Sequence, residues 1–377
     1  MAFKLPKYSD LTDQQRVIVN LPLDKNHLVT GAPGTGKSVI AIYRASDMAE
    51  AGKDVLMLVY NRPLMLYISS AVESLGIEAD VNTWQSWISS FYRENFGTSY
   101  PQTNGAFTYD WPVIKRAFSR LGKPYDQIII DEAQDVPLEL IESLMLISKG
   151  VTCFMDPHQS IKDKYTDCYD VAEVLRVRTM YKLYENFRNP KGIFDFARIF
   201  NPEDVADPVK EDKTKPVVIK CSDFGHANSN QLTSKMVQIL KRNYGLKYIG
   251  VFTNYQSQTR TYKELTECLE DEDIDVFMFK GKGQGGEYRN LDFDEEGVYV
   301  LTYNTMKGLE FDAVLIPTCE NINSSDDDKV DNNLLYVAMT RASERLYCFY
   351  IRERGSSRYI DFFGKIKKHT DLWDWEK

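Results

Sequence analysis

Residues Gly31-Ala32-Pro33-Gly34-Thr35-Gly36-Lys37-Ser38 carry the G-x-x-x-x-G-K-[ST] spacing of a phosphate-cradling loop. Glycines at 31, 34 and 36 let successive backbone N–H groups turn toward one point, and the following helix adds its N-terminal donors. Such a loop suits nucleotide phosphates, with Lys37 reaching the β- and γ-phosphates and the Ser38 hydroxyl holding Mg²⁺. A second constellation follows, where Ile128-Ile129-Ile130 runs into Asp131-Glu132-Ala133-Gln134-Asp135. Three β-branched residues make a buried strand that delivers two carboxylates at its carboxyl end, where ligands bind in open α/β sheets. Asp131 suits Mg²⁺ held through its water shell, and Glu132 suits the water that attacks a γ-phosphate. An acidic helix cap would explain one carboxylate, but not its pairing with the upstream loop.

These side chains need a scaffold, and the chain supplies a repeating one. Val29-Thr30 ends an apolar run before the loop, and Val39 to Tyr43 continues as a helix after it. Apolar, β-rich runs at 27–30, 55–60, 127–130 and 151–155 read as strands of a first half. Runs at 217–220, 248–252, 276–279, 298–303, 313–317 and 346–351 read as strands of a second. Helical patterns, for example 231–241 and 256–270, fit between them, so parallel sheets with crossover helices are predicted. The boundary is placed near 183–188. Segment 84–125 is aromatic and mostly helical with a turn-rich centre. Segment 281–297 reads as a Gly-rich, charged loop. Segment 321–331, with Asp326-Asp327-Asp328, reads as a solvated surface loop rather than a cation site.

The 377 residues suffice for two or three domains. The net charge of −9 argues against coating nucleic acid by bulk charge, but not against a local basic groove. No apolar run approaches a membrane span, and the N-terminus lacks the apolar core of a signal peptide. The six cysteines are scattered without a C-x-x-C pair and read as reduced, mostly buried thiols of a cytoplasmic protein. The four histidines show no metal-ligand spacing to cysteine.

Taken in order, the motifs resemble those of superfamily 1 helicases of the UvrD/Rep/PcrA kind. Leu11-Thr12-Asp13-Gln14-Gln15 is similar to the Q motif, which implies that Gln15 reads the adenine edge. Leu58 to Pro63, with Tyr60 and Asn61, resembles motif Ia, and Thr83-Trp84-Gln85-Ser86-Trp87 resembles motif Ib. Both imply contact with single-stranded DNA through Tyr60, Asn61, Thr83 and Trp84. Met155 to Ile161 resembles motif III, implying a γ-phosphate sensor at Gln159. Tyr184-Glu185-Asn186-Phe187-Arg188 resembles motif IV, implying adenine stacking by Phe187 and phosphate contact by Arg188. Leu301 to Phe311 resembles motif V, implying DNA contact by Thr302 and nucleotide contact by Gly308 and Glu310. Leu335 to Ala342 resembles motif VI, implying a second phosphate-directed arginine at Arg341.

The resemblance implies an α/β fold of two RecA-like P-loop domains, 1–185 and 186–377, with parallel sheets and the ATP site in the interdomain cleft. It also implies ATP and Mg²⁺ as cofactors and single-stranded DNA, or a single-strand/duplex junction, as partner. Asp-Pro-His-Gln-Ser-Ile and Lys-Gly-Leu-Glu-Phe are closer to the UvrD-like branch, which moves 3′ to 5′, than to the RecD-like branch. The chain also departs from the family. Only about 85–123 is available for the first accessory insertion and about 281–297 for the second, so a stub of domain 1B and no domain 2B are expected. Val39 stands where an adenine-packing Arg is common, Asn304 where a His is common, and only Tyr165 can stack on bases after motif III. The expectation is an ATP-dependent single-stranded DNA translocase or helicase. A DNA-activated ATPase switch that licenses a partner such as a nuclease is the alternative, and RNA is a weaker choice of substrate.

Overall fold

The computed structural model describes residues 5–74, 76, 80–103, 108–156, 166–204, 206–221, 228–243, 245–279, 291, 293–320, 322, 328–351 and 362–376. It forms two compact units, one within residues 5–184 and one within residues 185–376.

The first unit is built on a six-stranded, wholly parallel sheet. Its strands are β1 (His27–Gly31), β2 (Val55–Val59), β3 (Asp80–Thr83), β4 (Tyr125–Ile130), β5 (Ser148–Met155) and β6 (Met180–Leu183), in the order β3-β2-β4-β5-β1-β6. β5 therefore lies between β1 and β4, and all three carboxyl ends open on the same edge. The central strands are continuous apolar runs because helices cover both faces of a parallel sheet. Leu28, Ile128, Ile130, Val151 and Cys153 share one core with the aromatic residues Trp87, Phe91 and Phe118.

The second unit contains a pair, β7 (Glu185–Pro190) and β8 (Asp207–Lys210), and a seven-stranded sheet. That sheet comprises β9 (Val217–Cys221), β10 (Tyr248–Thr253), β11 (Val276–Met278), β12 (Gly297–Thr302), β13 (Phe311–Ile316), β14 (Ala342–Ile351) and β15 (Asp374–Glu376). Its order is β11-β12-β10-β13-β14-β9-β15, again wholly parallel. Both units are thus α/β with parallel sheets, the predicted class.

All ten predicted strands are present, with ends shifted by a few residues at most. The strands missing from the sequence reading are β3, β6, β7, β8 and β15. β3, β6 and β15 are sheet edges, where one flank faces solvent and the apolar signal is lost. The aromatic segment resolves into helices Trp84–Phe96 and Trp111–Phe118, locked by an edge-to-face contact of Phe91 on Phe118 at 5.3 Å. Most of segment 281–297 and Asp326-Asp327 lie outside the described residues. Among the described residues, no helix is long and apolar enough to cross a membrane.

Candidate active site

The phosphate loop leaves β1 and enters helix Lys37–Glu50 with Gly36 as the cap residue. Gly34 (φ 75°) and Gly36 (φ 87°) occupy the left-handed region, so they turn the chain as the sequence predicts. Gly31 has a different role from the one predicted: it is absent from the positive-φ residues and is needed for close packing. A Cβ there would lie 2.6 Å from Thr35 Oγ1 and 3.0 Å from Leu183 Cβ. Ala32 is covered, and its carbonyl accepts from the Thr35 hydroxyl at 2.8 Å. Pro33 is buried in the same turn. Lys37 is also buried, its Nζ donating to the carbonyls of Gly31 (2.7 Å) and Ala32 (2.9 Å), which holds the ammonium across the mouth of the loop.

Gly36→Ala is expected to lower affinity for a non-hydrolysable ATP analogue, measured by calorimetry. Where the free loop relaxes out of the left-handed backbone and must regain it to bind, an L-residue costs about 1–2 kcal/mol, roughly a fivefold to thirtyfold loss. The new methyl would also meet Gln15 Nε2 at 2.6 Å. Unchanged affinity would remove this loop as the nucleotide site.

β4 delivers Asp131 and Glu132 to the same edge. The Ser38 hydroxyl donates to Asp131 Oδ2 at 2.6 Å, so the loop and the carboxylate pair meet at this edge. Asp131 is fully buried, and desolvation beside the Glu132 charge pushes its carboxyl up to about 7, against the pull of Ser38 and Lys37. Glu132 is buried and has φ 56°, a left-handed conformation that a glutamate adopts only under constraint. Its N–H donates to Asp131 Oδ1 at 3.1 Å, and its Oε2 accepts from Gln134 Nε2 at 2.5 Å. The Gln134 Oε1 accepts from the N–H of Asp156 at 3.0 Å, just past β5. Gln134 thus ties the carboxylate pair to the start of motif III, a link its place in the motif string did not suggest. Gln159 and Tyr165 lie outside the described residues.

Gln15 sits above the loop. Thr12 and Gln15 form a reciprocal capping box, with Thr12 N–H donating to Gln15 Oε1 at 3.0 Å. Gln15 Nε2 donates to the Thr35 carbonyl at 3.2 Å. These bonds use one proton and one lone pair of the amide, leaving a second of each for an adenine edge.

In the second unit, motif IV lies on β7. Asn186 Oδ1 accepts from the N–H groups of Arg188 (2.9 Å) and Asn189 (3.0 Å), and Asn189 Nδ2 donates to the carbonyls of Thr340 (3.1 Å) and Ala342 (2.7 Å). Motifs IV and VI are therefore stitched together through buried asparagines. Arg188 Nε donates to Glu310 Oε2 at 2.8 Å, so two residues expected to contact different parts of the nucleotide pair with each other. Gly308 has φ 78°, turning the motif V loop toward Glu310. Phe187 is half-buried. Arg341, expected as a phosphate-directed arginine, is turned into its own unit. It is 1% exposed, with Nε donating to the Val337 carbonyl (3.0 Å) and Nη1 to that of Leu309 (3.4 Å). A guanidinium covered by its own unit must be held by such acceptors.

The predicted DNA contacts divide. Tyr60 and Asn61 are half-buried beyond β2, and Asn61 Oδ1 accepts from Leu64 N–H at 2.8 Å, capping helix Arg62–Ser74. Thr83, paired in register with Val59, caps helix Trp84–Phe96 by accepting from Ser86 N–H at 3.3 Å. Two helix N-termini thus share one edge, an arrangement that favours anions. Trp84, expected to contact single-stranded DNA, is turned into the core. It is 6% exposed and packs at 5.3 Å on Tyr109 within the core, as Trp87 does against Phe91 at 4.8 Å. Thr302 is also buried, its hydroxyl 3.0 Å from that of Thr305 in the turn after β12.

Arg44 was missed. It lies seven residues past Lys37 on the face that buries Ile40, Ala41 and Met48, and a charge in an apolar stripe is itself the signal that a partner is required.

Residues 24–279 match a family model described as "Schlafen group 3, DNA/RNA helicase domain", more than half of the chain. Residues 297–348 match one described as "UvrD-like helicase C-terminal domain". Among solved structures, the chain is similar to the C-terminal domain of a possible DNA helicase from Lactobacillus plantarum WCFS1, at 16% identity and TM-score 0.35. That alignment covers 51% of this chain and 99% of the other. The chain is also similar to the PRRSV helicase, at 14% identity and TM-score 0.44, over 91% of this chain and 56% of that one. No curated protein matches.

Proposed function

Because the chain belongs to the Schlafen group 3 DNA/RNA helicase domain family, ATP-dependent enzymes of the superfamily 1 kind that act on nucleic acid, we propose that it is a compact 3′-to-5′ translocase on single-stranded DNA. The observation that carries the reading is the meeting of Lys37, Ser38, Asp131 and Glu132 at one edge of a parallel sheet, with Ser38 Oγ 2.6 Å from Asp131 Oδ2. In this reading 1–185 is the domain that binds ATP, with a reduced insertion at 85–123, and 186–377 is its partner domain.

The loop N–H groups and Lys37 hold the phosphates, Gln15 reads the base, and Glu132 orients the attacking water. Ser38 and Asp131 fit Mg²⁺, because both present hard oxygens and the buried Asp131 carboxylate is stabilised by a cation beside it. Bound there, the cation would neutralise charge on the β- and γ-phosphates. Arg188 and Arg341 are the phosphate-directed arginines of this reading, and for Arg341 that role requires release from its carbonyl partners.

A second reading is favoured by the small size of the insertion, two short helices between β3 and β4 among the described residues. Little surface is left there to grip duplex, so ATP turnover would license a partner such as a nuclease. Each base-pair step opposes opening by about 1.4 kcal/mol of stacking.

The test compares ATPase rates with single-stranded DNA, duplex DNA and single-stranded RNA, then single-turnover unwinding of a 3′-tailed duplex. Strong stimulation by single-stranded DNA, weak unwinding and faster streptavidin displacement from a 5′ biotin are expected. Faster displacement from a 3′ biotin would overturn the polarity, and stimulation by RNA alone would overturn the substrate. Processive unwinding without a partner would remove the switch reading.

A further inference from the structure

Arg44 is fully buried, and its hydrogen-bond partners include a run of backbone carbonyls. Nη1 donates to Val19 (3.0 Å) and Leu21 (2.7 Å), and Nη2 donates to Pro22 (3.1 Å). Those carbonyls lie at and just beyond the C-terminus of helix Asp13–Val19, where the last turn has no intrahelical donors and the helix dipole favours a cation. An apolar side chain would fill the same space without desolvating an ion, so the guanidinium is there for the tie it makes.

The tie has a direction. Arg44 projects from the phosphate-loop helix, two turns past Lys37. The helix it grips carries Gln15 in its first turn, and Gln15 is anchored to the loop through the Thr35 carbonyl at 3.2 Å. Gln15 Nε2 also comes so close to Gly36 that a Cβ there would sit 2.6 Å away. The short helix is therefore fastened at both ends to one rigid body, by Gln15 at its start and by Arg44 at its end. Loosening the C-terminal tie would leave the end of the helix held by the packing of Ile18 and Val19 alone, so that the amide of Gln15 would be less firmly set relative to a base whose phosphates stay fixed.

We propose that Arg44 is a positioning residue for base selection, setting where Gln15 meets the nucleotide base. The inference rests on the reading of Gln15 given above. It also separates two properties: the shorter bonds of Arg44 run to the carbonyls of Val19, Leu21 and Pro22 and only a long one, 3.5 Å, to Gln127 on the strand that leads to Glu132, so recognition of the base should suffer before hydrolysis does.

The experiment measures kcat and KM for ATP and GTP, with saturating single-stranded DNA, on the full chain and on Arg44→Lys, Arg44→Gln, Gln15→Ala and Arg44→Lys/Gln15→Ala. Assays run below every variant's thermal midpoint. The wild type is expected to prefer ATP. Lysine keeps the charge but cannot span the row of carbonyls. Arg44→Lys is therefore expected to raise KM for ATP by about fivefold to a hundredfold, the scale of one lost or misplaced hydrogen bond. It should also erase most of the preference for ATP while kcat stays within about threefold of wild type. Arg44→Gln should move the same quantities further. The double variant should discriminate no worse than Gln15→Ala, because the two residues act through one contact. A merely structural arginine would lower thermal midpoints without moving the ATP/GTP ratio. A wild-type ratio in both Arg44 variants, alongside a lost ratio in Gln15→Ala, would overturn the inference and leave the base-reading role of Gln15 intact. A wild-type ratio in Gln15→Ala would overturn that role, and the inference with it.

Discussion

Glu132→Gln should lower ATP turnover by about 10²–10⁴-fold while nucleotide affinity stays within a few-fold, the signature of losing a group that acts on the attacking water. The substitution changes charge and leaves shape nearly constant. Glu132 is held in a left-handed backbone at φ 56° and is fixed by Gln134 Nε2 and by its own N–H on Asp131 Oδ1, so its carboxylate is placed before substrate arrives. A strained, over-determined residue beside a phosphate loop points to pre-organised chemistry. The loss corresponds to about 3–5 kcal/mol of barrier. Pre-steady-state binding of a fluorescent ATP analogue and single-turnover hydrolysis separate the two effects. Near-normal turnover by Glu132→Gln would sink the assignment of the hydrolytic centre. Weakened binding with unchanged turnover at saturation would reassign Glu132 to the ground state.

The second large effect is expected at Arg188. Arginines that stabilise a transferring phosphoryl group contribute about 10³–10⁵ in rate, so Arg188→Ala should lower kcat on that scale and move KM for ATP far less. Glu310, which accepts from Arg188 Nε at 2.8 Å, should behave differently. Glu310→Gln should alter KM more than kcat, because it frees the guanidinium without removing it. The fold should tolerate Arg188→Ala. Its contact to the Thr340 carbonyl is long at 3.4 Å, whereas Asn189 ties the same strand at 2.7 and 3.1 Å. Arg188→Lys should not restore the rate, since an ammonium lacks the planar fork that matches phosphate oxygens. Retention of more than about a tenth of wild-type kcat by Arg188→Ala would show that this charge does not act on the transition state.

The sequence by itself determined the class of scaffold and which residues end up around the phosphate loop. Spacing alone placed Lys37 and Ser38 at the head of a helix and Asp131 at the end of a buried strand, because a left-handed glycine turn and three consecutive isoleucines each permit few conformations. Central strands were legible for the same reason: burial on both faces demands unbroken apolar runs. Edge strands such as β3 and β6 were not, since half of their surface faces solvent and polar residues serve there as well. Side-chain partnerships were decided only by the tertiary structure. Nothing in Asn-Phe-Arg or Leu-Glu-Phe states that Arg188 and Glu310 pair across 122 residues. Nothing in Thr-Arg-Ala states that Arg341 turns inward onto Val337 and Leu309. Trp84 likewise reads as a DNA contact inside its motif but lies in the core. Motif position fixes where a Cα is carried, whereas the neighbours packed around it decide where the side chain points. Those neighbours come from distant strands that meet only when the sheet is assembled.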